Sequence, residues 1–105
     1  MTNDQIIKLA SEANSLTQAL DEGGDNPELA RRLDWIFNLV SKDDAPLLIL
    51  AMKILQGKPY GVSTTNELTI ERIESLAADL GAHSIAPYNV PGAPIGYVYA
   101  PLKGN

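Results

Sequence analysis

Thr69-Ile-Glu-Arg-Ile-Glu-Ser-Leu-Ala-Ala-Asp-Leu-Gly-Ala-His-Ser-Ile85, with Val90-Pro-Gly-Ala-Pro-Ile-Gly-Tyr-Val-Tyr-Ala100 soon after it, reads as a capped helix running into a β-hairpin. Ile70, Ile73, Leu76, Ala77 and Leu80 recur at helical spacing and define one buried stripe. Gly81 is placed as the C-terminal stop. Thr69 is the better of two start signals, because Leu68 and Ile73 then take the two positions of a hydrophobic staple. The competing signal, Thr64-x-x-Glu67, has capping-box form and predicts a single turn. Beyond Gly81, His83 to Tyr88 predicts one strand and Ile95 to Ala100 a second. Val90-Pro-Gly-Ala between them sets Pro and Gly at the centre of a type II turn. Pro87 has no amide donor, which confines it to a strand end or an edge strand.

Upstream, the pattern is helical. From Asp4 to Leu20, Ile6, Leu9, Ala13, Leu16 and Leu20 alternate at spacings of three and four, with Asn3 as the expected N-cap. Two glycines in Asp21-Glu-Gly-Gly-Asp-Asn-Pro interrupt that stripe. Asn26 then caps a second helix with Pro27 at its first position, running to about Lys42. Leu29, Leu33, Ile36 and Val40 form its main stripe. Ala30, Trp35, Phe37 and Leu39 add apolar surface beside and behind it, so the helix is expected to meet neighbours on two sides. Asp43-Asp44-Ala-Pro restarts the chain with carboxylates at the positive end of a third helix, which ends near Gln56 before Gly57 and Pro59. Its interior, Leu47-Leu-Ile-Leu-Ala-Met52, is apolar all round, the mark of a central element. The loop that follows has room for a short strand at Tyr60 to Ser63.

The expected fold class is therefore α+β and mostly helical: three N-terminal helices, a fourth helix and a C-terminal β-hairpin. Residues 1–105 read as a single domain, with an amphipathic helix over 1–22 and a core over 26–105. A chain of 105 residues with 45% apolar content can bury about two thirds of the surface that its unfolded form exposes.

Composition narrows function. A net charge of −5 steers polyanions away and favours basic partners. The absence of cysteine excludes disulfides, thiol catalysis and thiolate metal sites. Met-Thr-Asn-Asp-Gln-Ile-Ile-Lys lacks the basic start and apolar stretch of a signal peptide, which predicts a cytoplasmic protein. The most apolar run, Pro46 to Leu55, is half of the roughly 20 residues that a membrane span requires, so no membrane association is expected.

No set of residues composes recognisable chemistry. His83 is the single histidine and lies just past a helix end, where the dipole stabilises an imidazolium; Ser84 beside it in a strand points to the opposite face. Asp21, Asp25 and Glu28 flank Gly23 and Gly24, but Gly23 falls where a calcium loop needs an oxygen ligand and Asn26 where it needs glycine. Gly57-Lys58 lacks the remainder of a phosphate loop, with Pro59 where the magnesium-binding hydroxyl belongs. No catalytic residue, cofactor site or metal site is assigned, and the chain is not expected to be an enzyme.

The segment from about Leu68 to Ala100 resembles the recognition helix and wing of winged helix-turn-helix proteins. The residues that carry the resemblance are Arg72-Ile73-x-x-Leu76, Gly81, Ile85 and Gly96-Tyr97. The resemblance covers about a third of the chain. It implies a winged-helix-like core and, as one alternative, a sequence-specific DNA-binding transcriptional regulator. Thr69, Arg72 and Ser75 would then face the bases, and Lys58 and Lys103 the phosphates. The chain departs from the pattern in two ways. Only a stub fits between Gly57 and Leu68 where another helix belongs, and Glu67, Glu71, Glu74 and Asp79 outnumber Lys58, Arg72 and Lys103. DNA binding draws on several cation–phosphate contacts, so this half offers few.

The other reading is a small non-catalytic regulatory or adaptor protein acting by protein–protein interaction. Tyr88, Tyr97 and Tyr99 are its candidate anchors, with Tyr88 joining the other two across the hairpin. The alternative for these rings is packing on the helices. A homodimer through Ile6, Leu9, Ala13, Leu16 and Leu20 is a further expectation, against packing of that stripe within its own domain.

Overall fold

The computed structural model describes residues 1–24, 26–63, 67–88 and 96–101, with side chains placed outside 62, 63, 67–69, 84–88, 96 and 97. Among the described residues, four helices and a three-stranded antiparallel sheet follow in the order α1 (Asn3–Gly23), α2 (Pro27–Leu39), α3 (Ala45–Leu55), β1 (Tyr60–Ser63), α4 (Glu67–Asp79), β2 (Ala82–Tyr88) and β3 (Gly96–Pro101). The α+β class is as the sequence predicts. The chain divides into two compact units, Met1–Met52 and Lys53–Asn105, and the division falls inside α3. No helix among the described residues is long and apolar enough to cross a membrane.

In the first unit, α1 starts at Asn3, one residue earlier than expected. Thr2, not Asn3, is the N-cap: its hydroxyl accepts the Gln5 N–H at 3.2 Å, and the Gln5 side chain accepts the Thr2 N–H at 2.9 Å. The reciprocal pair satisfies two otherwise orphaned donors, which a lone Asn3 cap would not. Gly24, at φ 73°, ends the helix by donating its N–H to Leu20 O. Ile6, Ala10 and Ala13 are fully buried on α1, and Leu9, Leu16 and Leu20 partly so.

Asn26 caps α2 as its sequence predicts, its side-chain oxygen accepting the N–H groups of Glu28 and Leu29. Replacing Asn26 by alanine is expected to lower the unfolding free energy by about 1 kcal/mol, and by aspartate by much less. Urea titration of the three proteins checks this. The helix stops at Leu39, short of Lys42, because Val40 is extended at φ −92°, ψ 130°. Leu47, Leu48, Leu50 and Ala51 of α3 are buried, and Asn14 of α1 donates to Met52 O at 3.0 Å. Asp44, only 8% exposed, precedes α3; its N–H meets both oxygens of Ser41, and its carboxylate lies 4.0 Å from the Met1 amine.

In the second unit, Gly57 (φ 76°) closes α3 and Gly81 (φ 70°) closes α4. The expected start of α4 at Thr69 is corrected: the helix already includes Glu67, so Thr69 lies inside it and Leu68 is not in the flanking position of a staple. The three residues 64–66 between β1 and α4 are outside the described set. Ile73, Leu76 and Ala77 are the buried stripe of α4, which packs on β2.

The sheet order is β1-β3-β2, so β3 is central and β1 and β2 are edges. Since both edges run antiparallel to β3, they run parallel to each other, with α4 as the connection between them. The edge position of β2 accommodates Pro87, as expected from its missing donor. Tyr60 pairs with Tyr99, and the latter is 5% exposed; Gly61 and His83, paired with Val98 and Ala100 on the alternate positions, are exposed. The Tyr99 face is thus the inner face of the sheet. The expected turn at Val90 to Ala93 lies outside the described residues.

Candidate functional site

The largest departure from the sequence expectation is on α2. The expectation that α2 is covered on two sides is not met at its apolar margins: Trp35, Phe37 and Leu39 are 46%, 39% and 44% exposed, although Ile36 between them is fully buried. At 100° per residue, Leu29, Leu33, Ile36 and Val40 occupy one side, which is the side that α1 covers. Trp35 and Leu39, one turn apart, flank that side at one margin, and Phe37 flanks it at the other. A helix in water ordinarily gives such margins to charged or polar side chains.

The Trp35 ring is held in place. The Arg32 guanidinium lies 4.1 Å from its centroid, and Arg32 Nε donates to Glu12 Oε1 of α1 at 2.7 Å. Both members of the ion pair are exposed, so it adds at most about 1 kcal/mol to stability. Its consequence is geometric. A large ring that keeps one orientation loses little conformational freedom when something docks on it. Tryptophan and arginine are also the residue types most often found to dominate contact surfaces.

The residues singled out for DNA contact do not compose a cationic surface. On α4, Glu71, Glu74 and Asp79 are exposed, whereas Arg72 is partly buried. Arg72, Ser75 and Asp79 each already have an interaction partner. Thr69 lies in the first turn of α4, and its side chain is outside the described set. Lys58 is exposed in the turn after α3, its N–H bonded to Lys53 O at 2.9 Å, and Lys103 lies outside the described residues.

Tyr99 is buried in the inner face, which is the packing alternative. In the backbone register, Tyr97 pairs with Val62 and Pro87, and Tyr88 with Gly96; the side chains of Tyr88 and Tyr97 are outside the described set. Of the α1 stripe proposed for dimerisation, Ile6 and Ala13 are wholly buried and Leu9, Leu16 and Leu20 partly so.

His83 is exposed on the outer sheet face. Among the described residues, no group of three or more His, Asp or Glu side chains is arranged to hold a metal ion. Comparison with protein-family models, curated proteins and solved structures finds no match for this chain.

The α2 surface was visible in the sequence only as apolar residues off the main stripe.

Proposed function

We propose that this chain is a small, non-catalytic regulatory or adaptor protein that works by protein–protein contact on a winged-helix-like scaffold. The observation that carries the reading is the exposed apolar surface of α2, Trp35 and Leu39 on one margin and Phe37 on the other. Single exposed apolar residues are ordinary; three large ones within five positions of one helix, with the ring of Trp35 held by Arg32, favour a contact surface. Support for the scaffold is topological: β1, α4 and the β2–β3 hairpin, with β3 between the edges, match the helix-plus-wing order expected from the sequence.

The rival reading, a sequence-specific DNA-binding regulator, uses the same α4 and hairpin. Against it stand the exposed acids of α4 and the partly buried and engaged Arg72. Phosphate contacts require cations where this helix presents carboxylates.

Affinity capture from the native host tests the reading. The protein is expected to retain a specific protein partner that the Trp35→Ala, Leu39→Ala double variant loses by at least about tenfold, a change of about 1.4 kcal/mol. Equal capture by both proteins would remove α2 from the account.

A further inference from the structure

Four exposed residues, Pro27, Arg31, Trp35 and Leu39, stand at intervals of four along α2 and so form one ridge of the helix. Their order is self-complementary. If two such ridges run antiparallel about a two-fold axis at position 33, each residue i meets residue 66 − i of the other copy. Arg31 then meets Trp35, and Pro27 meets Leu39, twice each by symmetry. A cation is set against an indole ring and an apolar residue against an apolar residue.

We propose that this ridge is where a second copy of the chain docks, as an antiparallel α2 pair in which each Arg31 lies against the other copy's Trp35. The proposal rests on reading the α2 surface as a contact surface and specifies its partner. The match of Arg31 to Trp35 and of Pro27 to Leu39 singles out this occupant, and charge permits it on α2 alone among the helices compared. The chain carries −5 overall, so two copies repel unless they meet at a neutral site. Within α2, Glu28 and Asp34 balance Arg31 and Arg32, whereas α1 carries Asp4, Glu12, Asp21 and Glu22 against Lys8 alone. On α4, Glu67, Glu71, Glu74 and Asp79 face only Arg72. An acidic partner has less to recognise here, because Glu12 already compensates Arg32. In the alternative dimer stripe on α1, Ile6 and Ala13 have zero exposure and Leu9, Leu16 and Leu20 are partly buried.

A single pair of ridges is a small interface, so the association is weak, with a Kd on the order of 10–100 μM. Trp35 is the sole tryptophan and reports on it directly. Sedimentation equilibrium and tryptophan emission are measured on the full chain from about 1 μM to about 1 mM, bracketing that Kd. A dimer mass and a blue shift of the emission are expected to rise together. Arg31→Glu, on an exposed residue, is expected to weaken association at least about tenfold, Arg31→Lys less, and Trp35→Ala to abolish it. A monomer throughout the range, or a dimer indifferent to Arg31→Glu, overturns the proposal. Should Trp35→Ala fail to fold, Arg31→Glu and the parent protein's emission still decide. A monomer whose partner capture nonetheless depends on Trp35 would refute self-association while leaving α2 as a contact surface for a different protein.

Discussion

Replacing Leu48 by aspartate is expected to abolish the folded state of the first unit at neutral pH, and replacing it by alanine to lower its unfolding free energy by about 3 kcal/mol. Leu48 has no exposed surface, and Leu47, Leu50 and Ala51 around it on α3 are enclosed as well. Alanine removes the transfer energy of the side chain and leaves a cavity whose walls relax only partly. Aspartate adds an ion where water and partners are absent, a penalty of at least several kcal/mol. Whole domains are stable by only about 5–15 kcal/mol, so the second change is of the size of the total. Circular dichroism and urea titration check both: a cooperative transition with reduced midpoint for Leu48→Ala, and no cooperative transition for Leu48→Asp. A Leu48→Asp protein that unfolds like its parent would show that α3 is not the core element described above.

That α3 is central could be read from Leu47 to Met52 alone, because a helix that is apolar all round has no face to give to water. Asn26-Pro27 announced α2 equally plainly, since each residue satisfies a separate requirement of a helix start. The short strand at Tyr60 to Ser63 and the edge position of Pro87 followed from local chemistry too. Other features did not. Thr2 and Asn3 are both competent caps, and the choice turned on Gln5 completing a reciprocal bond pair three residues after Thr2. Two start patterns overlap before α4, the staple around Thr69 and Thr64-x-x-Glu67, and the helix includes Glu67, ahead of the start that the staple predicts.

The candidate site was less legible than the fold, for a different reason. Periodicity reports which side of α2 is apolar, but whether a second element reaches Trp35, Phe37 and Leu39 depends on contacts between segments far apart in sequence. Of the tyrosine grouping, only the Tyr99 side chain is among those described, and it is buried. In the backbone register, Tyr88 pairs with Gly96. A bulge between Ser84 and Ala86 shifts the pairing, with no clear sequence mark. Tyr99 itself is an inner-face residue, so an accessible contact surface in this chain is better sought on α2.

The central claim is that the helix-plus-hairpin of this chain is a scaffold and that its contacts are made with protein, not nucleic acid. Titration of mixed-sequence duplex DNA in a mobility-shift assay tests it most directly. Low salt gives cationic contacts their greatest effect, because counterion release strengthens binding as salt falls. Non-specific DNA binders reach Kd values of about 10⁻⁴ to 10⁻⁶ M even at physiological salt. With Glu71, Glu74 and Asp79 exposed on α4 and a chain charge of −5, no shifted species is expected at tens of micromolar protein. A shifted complex that weakens as salt rises and is lost on Arg72→Ala would contradict the account and restore α4 as a DNA-reading helix.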